Sequence, residues 1–103
     1  MIKINIRYSS TGEFLQLETI GHANSAPLGE DLICASVSGI ILGGINALKG
    51  KNYTFKCDEI TGEIKLCNIG KMDEHDKIVI ETIVTQIQAV CRDNPKFVKL
   101  SVN

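Results

Sequence analysis

The chain contains no tryptophan, and its only aromatic residues are three phenylalanines and two tyrosines. Its core must therefore be filled mainly by Ile, Val and Leu, and a partner covering further apolar surface would help so small a domain. An excess of positive charge is also missing. Eleven basic residues stand against twelve acidic ones, for a net charge of -1. No broad positive field is present to hold a phosphate backbone, so direct nucleic-acid binding is not expected. No apolar run approaches the roughly eighteen residues of a membrane span. Met1-Ile2-Lys3-Ile4-Asn5-Ile6-Arg7 alternates in polarity instead of forming the apolar centre of a signal peptide. The expectation is a cytoplasmic protein with no membrane association. There is no Cys-x-x-Cys pair, and in that setting the four cysteines read as thiols rather than disulfides. His75 and Cys91 complete no recognised ligand spacing, so neither a metal nor another cofactor is expected.

What is present is a globular composition, 44% hydrophobic over 103 residues, read as one domain spanning 1–103. Such a chain buries roughly 60–65% of its extended surface on folding. Ile2, Ile4, Ile6 and Tyr8 share one side of a period-two pattern and predict a strand over 2–8, with a turn at Ser9-Ser10-Thr11-Gly12. A second strand is predicted over 13–20, with a less clean alternation: Leu15 and Leu17 fall on one face, Phe14 and Ile20 on the other. Cover from both sides, as at a subunit contact, would account for that. Residues 21–30 read as a mobile loop.

A helix is predicted over 32–48, capped by Asp31, which places Cys34 near its third position. Ala35, Gly39 and Gly43 recur at four-residue spacing along it, and such a side lets another backbone come close. Strands over 52–59 and 63–68 flank a turn at Ile60-Thr61-Gly62. A helix over 73–92 carries Ile80, Ile83, Val84, Ile87, Val90 and Cys91 on its apolar face, and a last strand follows over 97–102. The order ββαββαβ predicts an α+β fold, a mostly antiparallel sheet with two helices packed on one face.

The chemistry concentrates in Gly21-His22 and Asp31-Leu32-Ile33-Cys34-Ala35, an imidazole and a thiol on either side of the loop. Cysteine is commonly core filler, but at a helix start the unpaired amides and the macrodipole favour a thiolate, and an imidazolium nearby would favour it further. His22 sits in the loop, where it is either a hydrogen-bonded surface residue or the group that takes and returns the thiol proton. Asp31 reads as helix cap, with orientation of the His22 ring as its second role. The hydroxyls of Ser36 and Ser38 are expected to bond helix carbonyls, with a substrate contact as the lesser reading. Gly21 and Gly29 let the loop bend and a peptide approach. Cys57 keeps the parity of Tyr53 and Phe55, while Cys67 opposes Ile64 and Leu66. The two thiols therefore point to opposite sides of the sheet and share neither a disulfide nor a metal.

Gly21-His22-Ala23, Gly29, Asp31, Cys34-Ala35 and Val37-Ser38 together resemble the signature of the ribosomal-processing cysteine proteases, the small bacterial family known as Prp, and the likeness runs over essentially the whole chain. Ile33 stands where valine is usual, and Ser36 where alanine or glycine is common. The resemblance implies a catalytic dyad of His22 and Cys34, with Asp31 supporting it. Gly21, Ala23 and Gly29 would line the substrate loop, and Ala35 and Ser38 would lie near the site. It implies a homodimer whose peptide substrate is an N-terminally extended ribosomal protein of the large subunit, cut after an aromatic residue. It further implies a motif loop that orders on substrate. The implied chemistry is acyl transfer, with first-turn amides stabilising the oxyanion. Two other readings compete: a non-catalytic dimeric binding protein of ribosome assembly, with Cys34 as core, and a thiol redox protein, against which the lack of a resolving cysteine counts.

Overall fold

The computed structural model describes residues 1–23 and 31–103. Five strands, β1 (Ile2–Tyr8), β2 (Phe14–Ile20), β3 (Tyr53–Asp58), β4 (Glu63–Asn68) and β5 (Val98–Val102), form one sheet in the order β3-β4-β2-β1-β5. All neighbours are antiparallel except β1 and β5, which run parallel and close the edge begun by the N-terminal strand. Helices α1 (Leu32–Ile45) and α2 (Glu74–Asp93) cover one face. The α+β order ββαββαβ is as expected from the sequence. No helix among the described residues is long and apolar enough to cross a membrane.

Alternation decides which side chains enter the core. Ile2, Ile4 and Ile6 of β1 are all but fully buried beneath the helices, together with Leu66 of β4 and Val98 of β5. From α2, Ile80, Ile83 and Ile87 descend at helical spacing, and Val84, Val90 and Cys91 pack half-buried around them. Each such aliphatic side chain, fully buried, contributes about 1.5–3 kcal/mol. The uneven alternation of β2 has a local cause. Tyr8 pairs with Phe14 but Arg7 pairs with Gln16, so Leu15 is the extra residue of a β-bulge that resets the parity. Phe14, Leu17 and Thr19 therefore all face the core, and cover from both sides is not what produces the pattern.

Two expectations about α1 change. Its regular turns end at Ile45, with Asn46 as C-cap, rather than at residue 48. The glycine that admits α2 is Gly44, not Gly39 or Gly43. A β-carbon built on Gly44 would overlap the Ile83 side chain, whereas one on Gly39 or Gly43 meets nothing within 4 Å. The buried stripe is instead Val37 and Ile41, with Cys34 one turn before Val37 on the same side.

Asp76, in the first turn of α2, ties three elements together. It is 1% exposed. Its Oδ1 accepts from the Lys49 amide at 2.9 Å and from His75 Nδ1 at 2.8 Å. Its Oδ2 accepts from the Gly50 amide at 2.9 Å and from the Tyr53 hydroxyl at 2.7 Å. Burial alone would raise its pKa, but these four hydrogen bonds outweigh that and hold the carboxyl well below the usual carboxylate range. The reciprocal effect pushes Tyr53 up, through burial first and then its bond to Asp76. The connection from α1 to β3, the start of β3 and the start of α2 are thus fixed at a single carboxylate.

Candidate active site

Asp31 is the N-cap of α1, with extended backbone angles, and its Oδ1 accepts from the amides of Ile33 at 3.1 Å and Cys34 at 3.0 Å. Its carbonyl takes the Ala35 amide at 3.1 Å. These amides are therefore engaged by the cap and do not face the sulfur, which corrects the expectation of an oxyanion site built from the first turn. The donor at the sulfur comes from elsewhere: the Ala23 amide points at Cys34 Sγ from 3.2 Å. Cys34 itself is half-buried against the core cluster.

His22 follows Gly21, whose φ of +92° turns the chain out of β2. The ring lies against the β3–β4 turn, with Nε2 3.1 Å from the Ile60 carbonyl oxygen. A carbonyl only accepts, so Nε2 carries the proton and Nδ1 carries the lone pair of the neutral ring. At Nε2 the ring is oriented by this carbonyl. Gly62 permits the close approach: its φ is +72°, and a β-carbon there would overlap the Gly21 carbonyl oxygen and lie 3.2 Å from His22 Cε1. Thr61 completes the contact by accepting the Gly21 amide at 3.3 Å.

His22, Asp31, Cys34, Ala35 and Ser38 line one cavity of about 580 Å³. Ile2, Val37, Leu42 and Ile64 supply its apolar wall, and Cys57 and Asp58 of the edge strand β3 form its outer side. Thr19, also lining it, is 3% exposed, and its hydroxyl has no hydrogen-bond partner among the described residues. A second cavity of about 660 Å³, between the β1–β2 turn and α2, has neither a thiol nor an imidazole among its described lining residues. The structure thus brings together His22, Cys34, Asp31, Gly21, Ala23, Ala35 and Ser38. Gly29 lies outside the described residues. The hydroxyl of Ser36 bonds the Leu32 carbonyl at 2.7 Å, as expected for a serine within a helix.

Register puts Cys57 opposite Ile64 and Cys67 opposite Thr54, so the two thiols do point to opposite sides of the sheet. Cys91 packs beside the core, where burial pushes its thiol up. Asp73, His75 and Asp76 bring potential ligand atoms within 4.8 Å of one another. Each oxygen of Asp76 already accepts two hydrogen bonds, which occupies its lone pairs, so these residues do not fit a cation. Sequence reasoning missed the Ile60 carbonyl and the specific role of the Ala23 amide. The glycine at Gly62, beside a turn, was the one available signal for the first of these.

Residues 1–99 match the family model for the cysteine protease Prp. The chain is 30% identical over 101 residues to the ribosomal processing cysteine protease Prp of Mycoplasma genitalium, covering 98% of this chain and 95% of the relative. It is 20% identical over 104 residues to the protein of the same name from Staphylococcus aureus, covering 98% of each. Its fold superposes on the crystal structure of the S. aureus Prp with a covalently linked product peptide at a TM-score of 0.93, with 20% identity and all of both chains covered.

Proposed function

Since the chain belongs to the Prp family of cysteine proteases, we propose that it is the endopeptidase that removes the N-terminal extension of a bacterial large-subunit ribosomal protein, cutting after an aromatic residue, with His22 and Cys34 as its dyad. The observation that carries the assignment is the convergence on one cavity of a thiol held by the Ala23 amide and an imidazole held by the Ile60 carbonyl. With Nε2 protonated against that carbonyl, Nδ1 is the atom that takes the thiol proton. Cys34 Sγ attacks the scissile carbonyl, and Nδ1 returns the proton to the departing amine. Water, giving its proton to Nδ1, then releases the acyl group, and the thiol is restored. The Ala23 amide stabilises negative charge on sulfur before attack and as the thiolate leaves.

The apolar wall of Ile2, Val37, Leu42 and Ile64 suits an aromatic side chain on the acyl side of the cut. β3 is an edge strand that also borders the cavity, so an extended substrate satisfies its main chain by pairing there. The protein acts as a homodimer in the cytoplasm, on a ribosomal-protein peptide. Support for the dimer comes from the outer side of α1, where Leu32 is 79% exposed and Ala35, Gly39 and Gly43 stand uncovered. Asp31 serves as the cap that positions Cys34. The peptide held by the S. aureus protein supports a peptide substrate.

Intact mass measured on an extended ribosomal protein before and after incubation tests this. The wild type should make one defined cut, and Cys34→Ala and His22→Ala should each make none. An uncut substrate that still binds would instead identify a ribosome-assembly binding protein.

A further inference from the structure

A trans peptide unit carries its N–H and its C=O on opposite edges of one rigid plane, so a group that grips the one aims the other. The unit joining Ile60 to Thr61, in the turn between β3 and β4, is gripped at both edges. Its N–H, that of Thr61, donates to Asp58 Oδ1 at 3.3 Å, and its C=O, that of Ile60, lies 3.1 Å from His22 Nε2. The same Oδ1 takes the Ile60 amide at 2.9 Å, which fixes the preceding plane as well. The next carbonyl, that of Thr61, accepts the Gly21 amide, so the turn presents two consecutive carbonyls to the chain at His22. Asp58 is the last residue of β3 and stands in register with Glu63 of β4, like charges directly opposite, which disfavours the pair. Lys56 relieves Glu63 from 3.2 Å. Asparagine would hold the same turn without that repulsion, so the charge at position 58 answers to something beyond the hairpin.

We propose that Asp58 is a positioning residue for His22, acting through the Ile60–Thr61 peptide: carboxylate, peptide unit and imidazole form one hydrogen-bonded line that ends at Nε2. The inference rests on the protease reading above and adds to it a residue remote in sequence from the His22 and Cys34 motif. The line holds the ring with its proton on Nε2 and its lone pair on Nδ1. When Nδ1 takes the thiol proton the ring becomes a cation, and its bond to the Ile60 carbonyl becomes charge-assisted. A carboxylate on the far edge polarises the peptide in the sense that strengthens that bond. Asp58 thus serves its histidine as the aspartate of a Ser-His-Asp triad does, with a peptide unit between them.

Two measurements separate this role from that of a merely structural turn. Ring nitrogen NMR shifts, recorded where both imidazoles are neutral, report which nitrogen bears the proton. His75 is the only other histidine, so His22→Ala assigns the signals. Wild-type His22 should be protonated at Nε2, Asp58→Ala should give a mixture of tautomers, and Asp58→Asn, which keeps an acceptor oxygen, should retain the wild-type form. On an extended ribosomal-protein peptide, kcat should fall about tenfold in Asp58→Ala and about threefold in Asp58→Asn, with KM held within about twofold in both. A wild-type ring protonated at Nδ1 overturns the inference, as does a folded Asp58→Ala with the wild-type tautomer and kcat. A tautomer that shifts in Asp58→Ala although no form of the protein cleaves sustains the Asp58 contact and removes the protease reading. Cleavage by wild type with a tautomer unmoved in Asp58→Ala does the reverse. Were Asp58→Ala to misfold, the wild-type tautomer and the loss of kcat in Asp58→Asn would decide, and failure of either overturns the inference.

Discussion

Asp76→Asn replaces one oxygen with an amide nitrogen at almost unchanged volume, and the structure sets what that costs. Each carboxylate oxygen accepts from one backbone amide, Lys49 on Oδ1 and Gly50 on Oδ2. His75 and the Tyr53 hydroxyl can reorganise their protons to face an NH₂ group, but a backbone N–H cannot. Whichever way the new side chain turns, one buried amide meets a donor. Leaving that amide unpaired costs about 1–3 kcal/mol, and the remaining bonds lose the roughly 1 kcal/mol advantage each gained from a charged acceptor. The sum is about 4–6 kcal/mol, a large part of the 5–15 kcal/mol expected for a domain. In a thermal melt at pH 7 it should lower Tm by about 16 °C or more. The folded carboxyl lies below its unfolded value, so its stabilisation is present above about pH 4 and is lost as pH falls from there. The gap between wild type and variant, followed by urea unfolding at several pH values, should therefore narrow toward pH 3. A loss under about 1 kcal/mol at pH 7, or a gap as wide at pH 3 as at pH 7, would refute the reasoning.

Gly44→Ala places a methyl group against Ile83 and should destabilise the chain by about 1–3 kcal/mol. Gly39→Ala meets nothing within the chain and should gain about 1 kcal/mol of helix propensity in the monomer, while loosening the dimer in sedimentation if that face is the interface. Asp31→Asn retains an oxygen for the Ile33 and Cys34 amides and should hold stability within about 0.5 kcal/mol, whereas Asp31→Ala should lose about 1–2 kcal/mol on urea titration. If Asp31 acts only as the cap, cleavage by folded Asp31→Asn should match the wild type.

The order of elements was legible because its signals are periodic. The isoleucines of β1 alternate without a break, and α2 repeats Ile80, Ile83 and Ile87 at helical spacing. The Leu15 bulge was not legible, since one inserted residue shows in the sequence only as imperfect alternation. Cys34 and Asp31 could be placed because capping has residue preferences. The two groups that hold the reactive side chains, the Ala23 N–H and the Ile60 carbonyl, belong to the backbone, where residue type carries no mark. Asp76 resembled any acidic residue in a first helical turn, and only the arrival of Lys49, Gly50 and Tyr53 from distant sequence reveals its role.

The contact between His22 and Ile60 spans thirty-eight positions of sequence. A nascent chain that has emerged as far as the end of α1 already carries both the imidazole and the thiol, yet has no carbonyl to hold the ring. Nor has it β4, against which β2 must pair. On the protease reading, cutting power arrives with the second hairpin rather than with the reactive residues, so an incomplete product of synthesis remains harmless to the extended peptides around it.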